Sequence, residues 1–331
     1  MVKFDDFTVK YLKLFYNKRE PILFPDLKNL RTLIKNSFNK KLKFDIDDYE
    51  IPLKKIEKLA DTQWVDKDML NNLDSLKSNK KIMWTYRKIN HTIYIKSTKD
   101  KFKSFKNRLH ILINCLNYIY DKKPIKEERP LNMYLILTPL KKIANNIIIG
   151  PKNINSGYTD FISNEILIWR EEEFEKVIFH EMVHYMDLDV RNMSFSDDEL
   201  PHIIDGPKSY YEAFTDVWGV TYYLVYLSIV TNKSINSLFE IEYQFMKNQA
   251  HFFNDFFGLK NWGNKKEIKQ TSPAFTYFII KFLLFKTIVE TNDISLMEKP
   301  KEALSKIFDN GFKQEKYENL NSARMTLLQL Y

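Results

Sequence analysis

The stretch that decides the reading is IFHEMVHYM, residues 178–186, in which His180 and His184 stand four positions apart with Glu181 between them. On an α-helix, positions i and i+4 project from nearly the same side, so the two imidazoles can bind one metal ion together. Glu181 is turned by about 100° from His180, which sets its carboxylate beside such an ion rather than on it. From there it can act as general base toward a water at the metal, the arrangement that H-E-x-x-H implies. Ile178, Phe179, Met182, Val183, Tyr185 and Met186 are all uncharged. One face of the helix carries ligands and the opposite face packs, as a metal site in a protein core requires.

Working outward, the spacing predicts a helix from Glu171 to about Asp187, with acids in its first turn where they suit the helix dipole. Short apolar runs before it (Met133 to Thr138, Asn145 to Gly150, Ile154 to Phe161, Glu165 to Trp169) read as strands. An irregular stretch, Asp189 to Lys208, leads to a second helix from Ser209 to Val230 that contains YEAFTDVWG, residues 211–219. A catalytic zinc site takes three protein ligands and keeps one open position. Glu212, on a helix able to fold back on the first, is the expected third ligand. Asp216, one turn further, is expected to accept the free ring N–H of a ligating histidine. Gly219 continues that stripe, where a missing side chain lets two helices approach closely. The bland alternative makes Glu212 and Asp216 ordinary first-turn acids. Asp187 on the ligand face, and His202 or Asp205 from the loop, are alternative third ligands. Donors for a developing oxyanion are sought among Tyr210, Tyr211, His202 and His251.

HEMVH followed by EAFTD resembles the gluzincin metallopeptidases, in which HExxH supplies two histidines and a downstream E-x-x-x-D supplies the third ligand and its support. EAFTDVWG looks especially like the second-motif helix of thermolysin-like enzymes, and resembles the toxin-type and viral relatives of that group. The resemblance covers about His180 to Gly219. The spacer between the motifs departs from that of the thermolysin-like enzymes, and neither their calcium-binding acids nor a signal sequence is apparent. The resemblance implies Zn2+ on His180, His184 and Glu212, Glu181 as general base, and peptide or protein as substrate. It also implies a sheet-edge strand over the zinc, at Asn155, Ser156, Gly157 and Tyr158 or at Glu165 to Trp169, on which a peptide pairs as an added strand. The rival is a catalytically inactive protein that keeps zinc as a structural staple or a binding groove.

The rest of the chain sets bounds. Its 331 residues, 44% of them hydrophobic, suffice for a sizeable core. The expected fold is α+β: a zincin-like core with a small mixed sheet over residues 126–331, after a mainly helical lobe over 1–125. In that lobe Leu27 to Phe44, Ile51 to Leu59, Met69 to Leu76 and Phe102 to Tyr120 read as helices, and two strands flank Lys88-Ile89-Asn90. Cys115, the single cysteine, excludes an intramolecular disulfide framework and reads as a buried, inert thiol. His91 and His110 read as structural. The acids near the N-terminus do not suit a signal peptide, and the apolar run Val217 to Val230 is short for a bilayer, so a soluble intracellular protein is expected. The net charge of +8 comes from scattered lysines, so nucleic acid is not expected as the primary partner. The Lys, Asn and Ile bias suggests AT-rich coding DNA, as in a large DNA virus or an AT-rich microbe.

Overall fold

The computed structural model describes residues 3–19, 21–122, 129–144, 148–191, 209–259 and 270–331. Its architecture is α+β. The strands are β1 (Asp45–Asp48), β2 (Ser78–Tyr86), β3 (Ile89–Ser97), β4 (Asn132–Thr138), β5 (Gly157–Asp160) and β6 (Glu165–Arg170). They form one mixed sheet in the order β1-β2-β3-β4-β6-β5. Three of these strands precede residue 125 and three follow it, joined where β3 and β4 pair in parallel.

Local chemistry accounts for the connections. Arg87 and Lys88 turn the β2–β3 hairpin with φ of 50° and 65°, the mirror-image turn whose twist matches its strands. Alternation along β4 and β6 divides the core. Met133, Leu135, Leu137, Ile166 and Ile168 face the main helical core, whereas Tyr134, Ile136, Leu167 and Trp169 face a smaller cluster. That cluster is completed by α3 (Leu53–Ala60) and the 3-10 helix Lys67–Ser75.

Some expected elements are cut differently. The helix expected from Leu27 to Phe44 ends early, as α2 (Leu27–Asn36), and the chain turns to reach β1. The helix expected over residues 102–120 divides into α4 (Lys99–Lys106) and α5 (Leu109–Tyr120), with Cys115 buried in the second. The strand expected from Ile154 begins only at Gly157, because Pro151 starts a short helix, α6 (Pro151–Ile154). Residues 145–147 of another expected strand lie outside the described residues, and Ile149 within it makes a single bridge to Gln270.

Helix α7 (Phe174–Tyr185) packs on β5 and β6, and α8 (Tyr211–Thr231) packs on α7. The α7–α8 approach depends on Gly219, where a Cβ would lie 3.0 Å from the His180 Cα. Helix α8 exceeds the apolar run seen in the sequence. At 21 residues it is long and apolar enough to cross a membrane, but 83% of its apolar window is buried inside the protein. Behind it lie α9 (Ile235–Phe256), a π-helical turn (Thr276–Ile280) running into α10 (Lys281–Thr291), and α11 (Pro300–Asn310), preceded in chain order by α1 (Asp6–Lys18) at the N-terminal end.

Residues 322–330 form a buried irregular stretch. Buried amides need acceptors, and here side chains supply several of them. The amides of Met325 and Thr326 donate to Glu173 Oε1 at 2.6 and 2.5 Å. Leu327 donates to both oxygens of Glu242, at 3.2 and 3.1 Å, and Leu328 to Oε2 at 3.3 Å. Burial pushes the Glu242 carboxyl up to about 7 despite these donors. A carboxyl whose folded pKa is raised contributes stability below its unfolded value near 4.5 and loses it as pH rises through about 7. Relative to Glu242→Gln, the protein should therefore lose on the order of 3 kcal/mol between pH 4.5 and 8. Chemical unfolding of both proteins across that range checks this, and a pH-independent difference would show that Glu242 stays ionised throughout.

Candidate metal centre

His180 and His184 project from α7, and Glu212 comes from the first turn of α8. One ligand atom from each lies within 4.8 Å of the others. Glu212 Oε2 stands 3.3 Å from His180 Nε2 and 3.2 Å from His184 Nε2. The outer nitrogens are engaged as well: His180 Nδ1 donates to Asp216 Oδ1 at 2.8 Å, and His184 Nδ1 to Asp189 Oδ2 at 2.5 Å. Carboxylates only accept, so Nδ1 of each imidazole carries a proton, and Nε2 of each is turned toward Glu212. Two oriented imidazoles and a carboxylate form a donor set that suits a metal ion such as zinc.

The electrostatics agree with a cation site. Burial disfavours charge on both rings but is outweighed. Glu212 and Asp189 carry His184 up to about 10, and hydrogen bonds to Asp216 and Glu212 raise His180 above its ordinary value. Burial likewise opposes the charge on Glu212 and Asp216. The two histidines nevertheless hold Glu212 low, and Lys176 and Lys281 hold Asp216 well below the carboxylate range. Lys281 Nζ lies 2.9 Å from Asp216 Oδ2 and donates to the Met325 carbonyl at 3.0 Å, while Lys176 contacts Oδ1. Ionised carboxylates thus enclose a point where positive charge is favoured.

Glu181 takes no part in this group. Thr159 Oγ1 donates to its Oε2 at 2.6 Å. A Cβ on Gly157 would fall 2.4 Å from Glu181 Oε1 and 2.6 Å from Val177 Cγ1. The close neighbours of the bare Gly157 backbone are α7 and Glu181 itself. The four side chains open into a cleft of about 150 Å³ whose wall includes Asn155, Gly157, Tyr158, Phe161 and Tyr211. Ser156 lies behind it, in a small void beside Glu181.

The other expected residues divide. Tyr211 lines the cleft, its ring centroid 6.2 Å from that of His184. Tyr210 turns instead toward Phe308, at 6.0 Å, and does not line it. His251 lies in a separate cavity among the rear helices, which removes it as an oxyanion donor. Asp187 adopts a φ of 57° and pairs with Arg191 at 2.5 Å, outside the group of three. His202 and Asp205 fall outside the described residues. His91 is structural: its Nδ1 accepts from the Leu131 amide at 3.1 Å. Sequence reasoning missed Asp189, Thr159 and Tyr277. Tyr277 lines the cleft from the π-helical turn, its ring centroid 6.0 Å from that of His180, and Glu212 lies among the acids around its phenol. Asp189 lay within reach of inspection, five residues past His184, but nothing in the spacing marked the other two.

No protein-family profile matches the chain, and no solved structure does. Over 157 residues it is 26% identical to an uncharacterized protein of Acanthamoeba polyphaga mimivirus, a distant viral homologue. The alignment covers 42% of this chain and 40% of that protein, so the chain spans well under half the length of the curated relative that it matches.

Purified protein should bind about one equivalent of a divalent metal, read by elemental analysis. His184→Ala and Glu212→Ala should each lose most of it, and Asp187→Ala should lose none. Asp189→Asn should retain the metal but weaken it by roughly 10- to 100-fold in chelator competition, through the lost hold on His184. Full metal retention by Glu212→Ala would remove Glu212 from the ligand set.

Proposed function

We propose that the chain is a zinc-dependent metallopeptidase of the zincin type, with His180, His184 and Glu212 as ligands and Glu181 as general base. What chiefly supports this is the position of Glu181. A staple needs only ligands, yet here a fourth carboxylate, free of the ligand group, is held by Thr159 at the wall of the same cleft.

The chain's own residues divide the work as follows. A bound zinc ion would supply Lewis acidity toward a carbonyl and toward a water. Glu181 takes the proton of the attacking water and returns it to the departing amine. Thr159 fixes the carboxylate rotamer, and Gly157 leaves room for it. Tyr277 and Tyr211 bring phenol hydroxyls into the cleft, where a donor can stabilise the carbonyl oxygen as it gains charge. The peptide is held by β5, the end strand in the sheet order, whose far edge can pair with an extended backbone. Asn155, Gly157 and Tyr158 lie along that edge of the cleft, and Ser156 belongs to the same segment.

Glu181→Gln should keep the fold, the melting temperature and the metal, because volume and hydrogen-bonding reach are nearly preserved. It should lose hydrolysis of a broad peptide library by about 10²- to 10⁴-fold at matched metal occupancy. Metal with no cleavage by the unaltered protein would favour the inactive, zinc-stapled alternative. Tyr277→Phe should lower kcat by about 10²- to 10³-fold with KM little changed, as expected for a donor acting in the transition state. An unchanged kcat would leave Tyr277 only its contact with Glu212.

A further inference from the structure

A second cavity, of about 560 Å³, lies between α9 and α10 below the end of α11, and shares no lining residue with the metal cleft. Its wall is mixed. Tyr243 and Phe282 pack with ring centroids 5.5 Å apart, and Phe312 lies 4.8 Å from the ring of His251. Among the described residues, Lys247, Lys286 and Lys313 line it with two carboxylates, Glu290 and Glu315. Lys247 is paired with Glu315 at 2.8 Å, while Lys286 is 3.7 Å from Glu290.

His251 carries the inference. It is 2% exposed, and its Nδ1 accepts the Glu315 amide at 3.2 Å, which places the ring proton on Nε2. Among the described residues Nε2 has no hydrogen-bond partner, since Glu315 Oε1 at 4.0 Å is beyond reach. Burial, with Lys247 and Lys286 adding to it and Glu315 opposing, holds this ring at about 4, so it is neutral and offers one donor. A buried donor without an acceptor, on a residue that lines a cavity, costs stability until something accepts from it. The missing group is therefore an acceptor, and the surplus of lysines selects a negative one.

We propose that this cavity binds an organic oxyanion, a carboxylate or a phosphate carried on an aromatic body. The oxyanion accepts from His251 Nε2 and draws on Lys247 and Lys286, and the body lies against Phe282 and Phe312. A cation would meet the wrong charge, and a purely apolar ligand would leave His251 unsatisfied. The site stands apart from the metal cleft and does not depend on the peptidase reading.

Histidine-labelled protein, kept metal-free with chelator so that no anion binds at the ligand group, provides the test. Its ring signals are followed by NMR during titration with phenyl phosphate, 3-phenylpropionate, inorganic phosphate and benzyl alcohol. The His251 signal, identified by its absence in His251→Gln, should shift saturably with at least one aromatic anion. That anion should bind at least about tenfold more tightly than inorganic phosphate or benzyl alcohol, and the signals of His180 and His184 should stay in place. The two aromatic anions distinguish a phosphate from a carboxylate site. Lys286→Glu, at an exposed position, should weaken binding about tenfold or more with an unchanged melting temperature. Calorimetric titration of that variant against the unaltered protein decides the matter even where His251→Gln does not fold. No shift with either anion at about 10 mM, equal affinity in Lys286→Glu, or benzyl alcohol binding as well as the anions would each overturn the proposal.

Discussion

Asp216 is buried, and three cationic or proton-donating groups converge on its two oxygens: His180 Nδ1, Lys176 and Lys281. A carboxylate in that position is expensive to desolvate and is tolerated only because every partner is in place. The partners come from α7 and α10, and Asp216 itself from α8. Removing one of them would leave a buried charge uncompensated, at about 3–5 kcal/mol. The arrangement therefore constrains three helices at once, and the orientation of the first ligand follows from it.

The same logic extends beyond the ligands. Lys281 joins Asp216 to the Met325 carbonyl. The neighbouring amides of Met325 and Thr326 lie on Glu173, which is paired with Lys142 at 2.7 Å. Glu173 precedes α7 with a φ of 62°, so the residue at the start of the histidine helix also anchors the buried stretch 322–330. The site is supported by a polar lattice as well as by packing, and two small residues let that lattice close. Gly219 admits α8 to α7, and Gly157 admits β5 to Glu181.

What could be read from the sequence followed from periodicity. The i, i+4 histidines, Glu212 and Asp216 one turn apart, and the small residue at Gly219 all state a helical geometry, and the structure brings them together as that geometry requires. The β4 and β6 runs were legible for the same reason. Tyr277 was not, because a residue 65 positions after Glu212 reaches the cleft through tertiary packing and a π-helical turn, and neither has a local pattern. Thr159 and Asp189 act through single hydrogen bonds. His251 was misplaced because a histidine's chemistry says what it can do and nothing of where the chain puts it.

The buried stretch 322–330 has a consequence for how the molecule is made. Thr8 Oγ1 donates to the Leu327 carbonyl and accepts the Gln329 amide, contacts that span more than 300 residues of chain. Closures of that length come late in folding, and on the ribosome the residues near 325 emerge after every helix they brace. Until they dock, Lys281 lacks the Met325 carbonyl and Glu173 lacks its amides. A nascent chain can therefore carry both histidines and Glu212 without yet holding them in a fixed geometry. A chain without these residues would carry the ligands without the frame that aims them.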